Sequence, residues 1–383
     1  MIKKIFKWFF IILILLNLFI VVTGRFYLYK GIWNTYLKGR GGPSIEEYPI
    51  FYNRIVQAGA GEDWVNAKNY NSSKVPSALL ENFSNYGTVA YLIIKNDSIS
   101  HEEYWDGFSD TSHSNSFSIA KTFVSILIGI AIDEGKIKSL DEPVGNYLPK
   151  FKEGNNSKLT IRHLVTMSSA INWDENYVNP LAYPAQAYYG SDLQKLSFGY
   201  DVMGEPGKAF EYRSGNSQLL GFILEKATGK TVSEYFSEKV WKQIGAKNSA
   251  FWSLDTESGK EKVFCCFNSN AKDFARIGKL FLDSGRWNGK QIVSEGYVLN
   301  SIVAADLLKD GGKNNIYGYS WWLLPEYKGE KNIFYARGIL GQYIIVIPEK
   351  KMVIVRLGKK REKGKGDDHP ADLYWYIDAA LQM

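Results

Sequence analysis

Ser118 and Lys121 stand three residues apart in "SFSIAKTF", at the head of the apolar run "ILIGIAIDEG". On a helix that spacing puts both side chains on one face, the amine beside the hydroxyl. A serine hydroxyl is a poor nucleophile until a base takes its proton. Burial disfavours the charged form of a lysine and moves it towards the range where it can be that base. A serine at a helix N-terminus also has its own N–H and the positive end of the helix dipole, and both stabilise an oxyanion. The plainer alternative is an N-capping Ser118 and a Lys121 that snorkels to water. The S-x-x-K pattern does not choose between them, because Ser269 and Lys272 repeat it ahead of "DFARIGKLFL". There the serine reads as a helix cap and the lysine as a solvated first-turn residue. Ser118 differs because the run downstream of it is apolar on nearly every helix face, which sends Lys121 into a packed interior.

A phenol is the third group of interest. "GEPGKAFEYRSGNSQLLGFILEKATGK" carries Tyr212 and Ser214 in a turn-rich approach to a helix. A tyrosine near a lysine loses its proton more readily, acts as general base, and can return a proton to a leaving amine or alkoxide. Near the C-terminus, "FYARGILGQYIIVIPEKK" places Gly338 beside Ile339 in a strand. A glycine there lets a substrate come close to the backbone.

The elements that must hold these groups can be read along the chain. "GTVAYLIIKNDSISHEEYW" alternates about Asn96-Asp97 and predicts a hairpin. The Lys121 helix should stop at Gly135. "SKLTIRHLVTMSS" reads as a short capped helix, with "GNSQLLGFILEKATG" and "NAKDFARIGKLFLDSG" as amphipathic helices closed by Gly229 and Gly285. "YGYSWWLLP", "NIFYARG", "GQYIIVIPE" and "KMVIVRLG" are strand-like, and "ADLYWYIDAALQM" is a final helix. Strands at both ends with helices between them predict an α/β (α+β) fold, an antiparallel sheet flanked by helices with an inserted, mainly helical lobe. Trp321 and Trp322 are expected in its core. The aromatic stretch "WDENYVNPLAYPAQAYYG" could line an apolar site or fill a lid.

Composition narrows the function classes. A chain of 383 residues with 45% hydrophobic and 15% aromatic residues can bury a large core. Its net charge of +6 is spread along the chain, which gives nucleic-acid binding little support. The four histidines, His101, His113, His163 and His369, lack metal-ligand spacing, so no metal or other cofactor is expected. His101 reads as lying on a strand's polar face, His113 as a solvated loop residue, and His163 as packed on its short helix. Cys265 and Cys266 are adjacent, a separation that rarely reaches disulfide geometry, so no disulfide framework is expected.

At the N-terminus, Lys3, Lys4 and Lys7 precede "WFFIILILLNLFIVVTGRF". Ile5 to Thr23 comes close to the roughly 20 residues of a membrane span. "FIVVTGRF" lacks the small residues of a cleavage site, so the expectation is a retained anchor over 1–24 rather than a cleaved signal. The lysines place the bulk of the chain outside the cytoplasm. "RFYLYKGIWNTYLKGRGG" mixes aromatic and basic residues as a membrane-interface segment would, or as ordinary packing at the domain's edge. The expected division is 1–24 anchor, 25–80 membrane-proximal lead-in, and 81–383 catalytic domain, with the helical lobe at roughly 135–300.

Three segments, "SIAK", "PGKAFEYRSGNSQLLGFILEKATGK" and "ARGILGQYIIVIPEKKMVIV", resemble in content and order the serine β-lactamase-like hydrolase superfamily. "LTIRHLVTMSSAINWDENY" and "AKDFARIGKLFLDSGRWNGKQIV" also fit, so the resemblance runs from about Gly87 to the C-terminus. Within the class C β-lactamase-related group, the sequence is most similar to the 6-aminohexanoate-dimer hydrolase and esterase branch. The resemblance implies Ser118 as acylated nucleophile, Lys121 as its proton partner and Tyr212 as general acid/base. It implies an oxyanion hole from the backbone N–H groups of Ser118 and Ile339. It also implies Tyr177, Ser214, Asn268, Gly338 and His369 around the substrate, although Asn268 taken by itself reads first as a cap for the next helix.

Two departures bear on the substrate. Ser214 stands where class C enzymes usually have asparagine, and Ala336-Arg337-Gly338 stands where they carry Lys-Thr-Gly. Arg337 would either replace the lost lysine as a carboxylate fork or pair structurally. The expected activity is therefore hydrolysis of amide or ester bonds in small linear substrates through an acyl-enzyme. The alternatives are a β-lactamase or D-amino-acid-specific peptidase of the penicillin-binding type, and a catalytically silent binding protein with this fold. The expected partners are a small amide or ester substrate and the membrane, with no nucleic acid.

Overall fold

The computed structural model describes residues 2–362 and 368–383. Strands Thr88–Lys95 and Ser98–Tyr104 pair antiparallel around Asn96 and Asp97, whose φ angles of 48° and 64° are those of a tight hairpin turn. The strands form a seven-stranded sheet in the order Trp322–Tyr327, Glu330–Gly338, Gln342–Ile347, Met352–Gly358, Thr88–Lys95, Ser98–Tyr104, Val65–Asn66. All neighbours are antiparallel except the short edge strand Val65–Asn66, which runs parallel to Ser98–Ile99 and makes the sheet mixed.

Both faces of the sheet are covered. Ala90, Leu92 and Ile94 join the core shared with the helices Ala120–Asp133 and Ala271–Leu282. Tyr91, Ile93 and Ile354 face the opposite way, onto Phe83 of helix Ser77–Asn85 and onto Leu373 and Tyr376 of helix Ala371–Gln382. Period-2 alternation thus divides each strand between two apolar layers. Between the N- and C-terminal strands lie the helices 161–165, 183–189, 193–198, 214–228 and 232–236.

Several local readings change in three dimensions. Helix Ser214–Thr228 is buried on every face from Ser214 to Leu224, because it is wedged against the Ala120–Asp133 helix, so it is not amphipathic in situ. Ser269 ends a strand, and the cap of the helix beginning at Ala271 is Asn270, which accepts the Asp273 N–H at 2.9 Å. Lys272 is not merely solvated but pairs with Glu102 and Asp110, each at 3.1 Å. His101 is buried at the Tyr91 ring rather than on a polar face. His113 packs against Phe251 and shares a hydrogen bond with the Ser249 carbonyl. Cys265 and Cys266 form a disulfide with each other, with Cys266 in the left-handed region at φ 68°.

The segment 25–80 is more than a lead-in. Asn53–Val56 pairs with Ala250–Ser253, and Val65–Asn66 adds the parallel edge, so both are woven into the domain. Ahead of it, Ile2–Thr23 is a 22-residue helix long and apolar enough to cross a membrane, as an anchor or a signal would be.

Candidate active site

A tight turn delivers Ser118. Ser116 N–H donates to the Phe267 carbonyl at 2.8 Å and Phe117 N–H to Asn115 Oδ1 at 2.9 Å. Phe117 itself is held at φ 45°, a conformation that a bulky side chain adopts only when its surroundings impose it. From there a 3-10 turn, Phe117–Ile119, runs directly into helix Ala120–Asp133. Gly135, at φ 68°, ends that helix as the sequence requires.

Within this helix Lys121 is only 1% exposed, while Ser118 is partly open. The Lys121 Nζ donates to Ser118 Oγ at 2.9 Å and to the Phe264 carbonyl at 2.7 Å. The same ammonium lies 5.2 Å from the centre of the Tyr212 ring, within cation–π range. Lys121 therefore does not snorkel; it is engaged inside by a hydroxyl, a carbonyl and a phenol ring.

Each contact has its own support. The Phe264 carbonyl is fixed by the turn 262–266, where Trp252 Nε1 donates to the Lys262 and Cys265 carbonyls and Cys265 N–H to the Lys262 carbonyl. Lys262 is fully buried and donates to the carbonyls of Ala187 and Gly190 at the end of helix Tyr183–Tyr189. Burial pushes its amine down to about 7. Tyr212 rests on Trp322, with ring centres 5.4 Å apart.

The strand Glu330–Gly338 reaches the serine at its C-terminal end. A Cβ on Gly338 would lie 2.2 Å from the Ser116 carbonyl oxygen and 3.0 Å from Phe117 Cβ, so only glycine permits this approach. Ile339 comes immediately after. The turn beyond it is clamped by the buried Arg356, which donates to the Leu340 and Gly341 carbonyls at 2.9 and 2.6 Å. Gln342 Nε2 donates to the Ile339 carbonyl at 3.2 Å.

Ser214 is buried behind the Tyr212 backbone turn. It gives its N–H to Glu175 Oε2 at 2.7 Å and its hydroxyl to Glu175 Oε1 at 2.5 Å. Tyr177 Oη donates to the same carboxylate at 2.7 Å, and its ring is about half exposed at the mouth of the loop. The structure thus gathers Ser118, Lys121, Tyr212 and Gly338 directly, and Ser214 and Tyr177 through Glu175.

Three further expected site residues are engaged by partners of their own. Asn268 does not cap the next helix; its buried amide donates to the Cys266 and Phe251 carbonyls at 2.9 and 3.3 Å. His369 is buried with its Nδ1 against Tyr335 Oη at 2.7 Å, on the sheet face that carries the C-terminal helix. Arg337 stacks 3.3 Å above the Trp322 ring and donates from Nη1 to the Asp368 carbonyl at 2.8 Å, which is the structural pairing rather than a fork held open. Glu175 and Arg356 were not singled out in the sequence. An acidic residue two positions before Tyr177 was a legible signal for the first. Trp321 and Trp322 are both core, as they read in sequence: Trp321 packs between Phe281 and Phe334, and Trp322, in the opposite apolar layer, also supports Tyr212.

Comparison with known proteins fits this arrangement. Residues 77–378 match the protein family described as Beta-lactamase. The 6-aminohexanoate-dimer hydrolase of Paenarthrobacter ureafaciens is 26% identical over 288 residues, covering 70% of this chain and 72% of that protein. A solved Bacillus anthracis structure assigned as a 6-aminohexanoate-dimer hydrolase superposes with a TM-score of 0.75 at 22% identity, covering 88% of this chain and 92% of that one. A family VIII carboxylesterase superposes with a TM-score of 0.64 at 18% identity, covering 84% and 99%. The two superpositions establish a β-lactamase/transpeptidase-like fold.

Proposed function

Because the chain belongs to the beta-lactamase family, a family of serine hydrolases, we propose that it cleaves amide or ester bonds of small linear substrates through an acyl-enzyme on Ser118. The observation that carries this reading is the 2.9 Å hydrogen bond from a 1%-exposed Lys121 to Ser118 Oγ, beneath the Tyr212 ring. A lysine buried among neutral acceptors, with no carboxylate in its bonds, suits proton transfer better than it suits structural pairing.

The steps derive from the contacts. Ser118 Oγ attacks the substrate carbonyl while its proton passes to Lys121 Nζ. The oxyanion forms against the N–H groups of Ser118 and Ile339, held close by the Gly338 contact with Ser116. Tyr212 then gives its phenolic proton to the leaving amine or alkoxide as the carbonyl reforms, and recovers one from Lys121. Water attacks the acyl-enzyme by the same route in reverse, and Ser118 regains its proton on release of the acid.

Two features favour linear amides and esters over β-lactams. Ala336-Arg337-Gly338 offers no lysine to a substrate carboxylate, and the Arg337 side chain is committed to Trp322 and Asp368. The relative named as a 6-aminohexanoate-dimer hydrolase supports the same direction. Lys3, Lys4 and Lys7 ahead of the N-terminal helix support a non-cytoplasmic catalytic domain. The test is side-by-side hydrolysis of a nitrophenyl ester, an aminohexanoate dimer and a chromogenic cephalosporin. Turnover of the first two ahead of the third is expected, and a preference for the cephalosporin would overturn the substrate class.

A further inference from the structure

The N-terminal helix and the loop that carries Glu175 and Tyr177 are joined by a short chain of contacts. Tyr29 Oη donates to Asn17 Oδ1 at 2.8 Å, and Arg25 N–H donates to the Ile20 carbonyl at 3.0 Å. Asn17 lies six residues before the end of the apolar helix at Thr23, about 9 Å down its axis at 1.5 Å per residue. For Tyr29 to reach it, the next helix, Tyr27–Asn34, must fold back alongside the end of the apolar helix instead of extending away from it. Leu28 and Ile20 are accordingly buried.

That second helix is also docked on the catalytic domain. Tyr27 Oη donates to the Pro180 carbonyl at 3.0 Å, and a Cβ on Gly31 would lie 3.3 Å from the Tyr189 ring. Pro180 belongs to the loop that carries Glu175 and Tyr177 at the cleft. One loop therefore touches Ser214 at one end and the membrane-proximal helix at the other. Both segments carry open apolar side chains: Phe26 is 58% exposed, Trp33 64%, Tyr36 62%, Leu37 66%, Val178 87% and Leu181 38%. An exposed patch of this composition is what headgroup-level anchors look like.

We propose that these side chains lie in the interfacial layer of the membrane that Ile2–Thr23 enters, and that the Ser118 cleft takes amphiphilic acyl esters or amides presented from that surface. The lipid interface is the occupant because the patch is continuous with the chain's own apolar helix, and the Tyr29–Asn17 bond fixes its depth. A Lys or Glu at these positions would be well solvated in water; aromatic rings are favoured where one end is apolar and the other wet. The substrate half of the proposal rests on the hydrolase reading above; the docking half does not.

The experiment uses the full chain in phosphatidylglycerol/phosphatidylethanolamine vesicles. Cys265 and Cys266 are bonded to each other, so a Val178→Cys variant offers a thiol for an environment-sensitive fluorophore. Blue-shifted emission that is quenched by a nitroxide on the lipid is expected; water-like, unquenched emission overturns the docking. Separately, a Trp33→Asp/Leu37→Asp variant should lose about tenfold in hydrolysis of a long-chain nitrophenyl ester carried in the vesicles, with nitrophenyl acetate unaffected. Equal effects on both esters, or none on either, overturn the substrate class. A wild-type protein inactive on both esters would remove the hydrolase reading and the substrate class together, and the fluorophore would still decide the docking.

Discussion

Glu175 takes both hydrogen bonds that Ser214 can give, the backbone N–H at 2.7 Å and the hydroxyl at 2.5 Å. With its proton committed to the carboxylate, the Ser214 oxygen can only accept from a neighbour. The same carboxylate receives the Tyr177 hydroxyl, so one acid orders both walls of the loop.

Replacing that acid should disorder both. Glu175→Gln keeps the shape but turns one acceptor into a donor facing the Ser214 hydroxyl or N–H. Losing charge-assisted bonds of about 1.5–3 kcal/mol should lower kcat/KM by roughly 10- to 100-fold. Steady-state kinetics on a nitrophenyl ester reads this; unchanged kinetics would make Glu175 a bystander.

Lys121 should be required for acylation without being required for folding. Lys121→Met retains most of the side-chain volume but leaves the Phe264 carbonyl without its 2.7 Å donor. The expected cost is about 1–3 kcal/mol in denaturant unfolding, together with loss of acyl-enzyme formation in single-turnover assays. A collapse of cooperative unfolding would point to a structural lysine instead.

The Gly338 contact predicts a defect of geometry. In Gly338→Ala the new Cβ meets the Ser116 carbonyl oxygen and Phe117 Cβ, so the strand end must move away from Ser118. A misplacement of about 1 Å costs on the order of 100-fold in rate. Turnover should fall by that order while far-UV dichroism stays that of the wild type; wild-type turnover would show that the strand end does not position the reacting group.

How much of this was legible beforehand depends on what each residue reports. The Asn96-Asp97 hairpin, the Gly135 and Gly229 stops and the four C-terminal strands were readable, because turn residues and alternation are local signals. The Ser118–Lys121 pairing was readable for the same reason, since both residues share one helix turn. The Phe264 carbonyl was not: a backbone acceptor 143 positions away in the chain carries no side-chain signature. Asn268 and His369 were named by resemblance, and their partners here, the Cys266 carbonyl and Tyr335 Oη, carry no signal in the sequence. The edge strands at 53–56 and 65–66 are too short for periodicity to reveal, so 25–80 looked like a tether. The adjacent cysteines misled because sequence statistics see a separation of one residue, and only the left-handed turn at Cys266 shows how the chain doubles back.

Lys262 gives the account a pH signature outside the chemistry. Burial holds its folded-state value at about 7, against about 10.4 for an unfolded lysine. Between those values the unfolded chain binds a proton that the folded one does not, so this group makes stability rise with pH from 7 upward, at a limiting slope of about 1.4 kcal/mol per pH unit. Lys262→Met should lose that component of the slope in urea melts between pH 7 and pH 10. Parallel profiles for the two proteins would contradict it.

The proposed chemistry is tested most directly by mapping a fluorophosphonate adduct by mass on the intact chain. One adduct is expected, on the peptide containing Ser118, absent from Ser118→Ala and formed more slowly in Tyr212→Phe. An adduct on any other peptide, or equal labelling of wild type and Ser118→Ala, would contradict it.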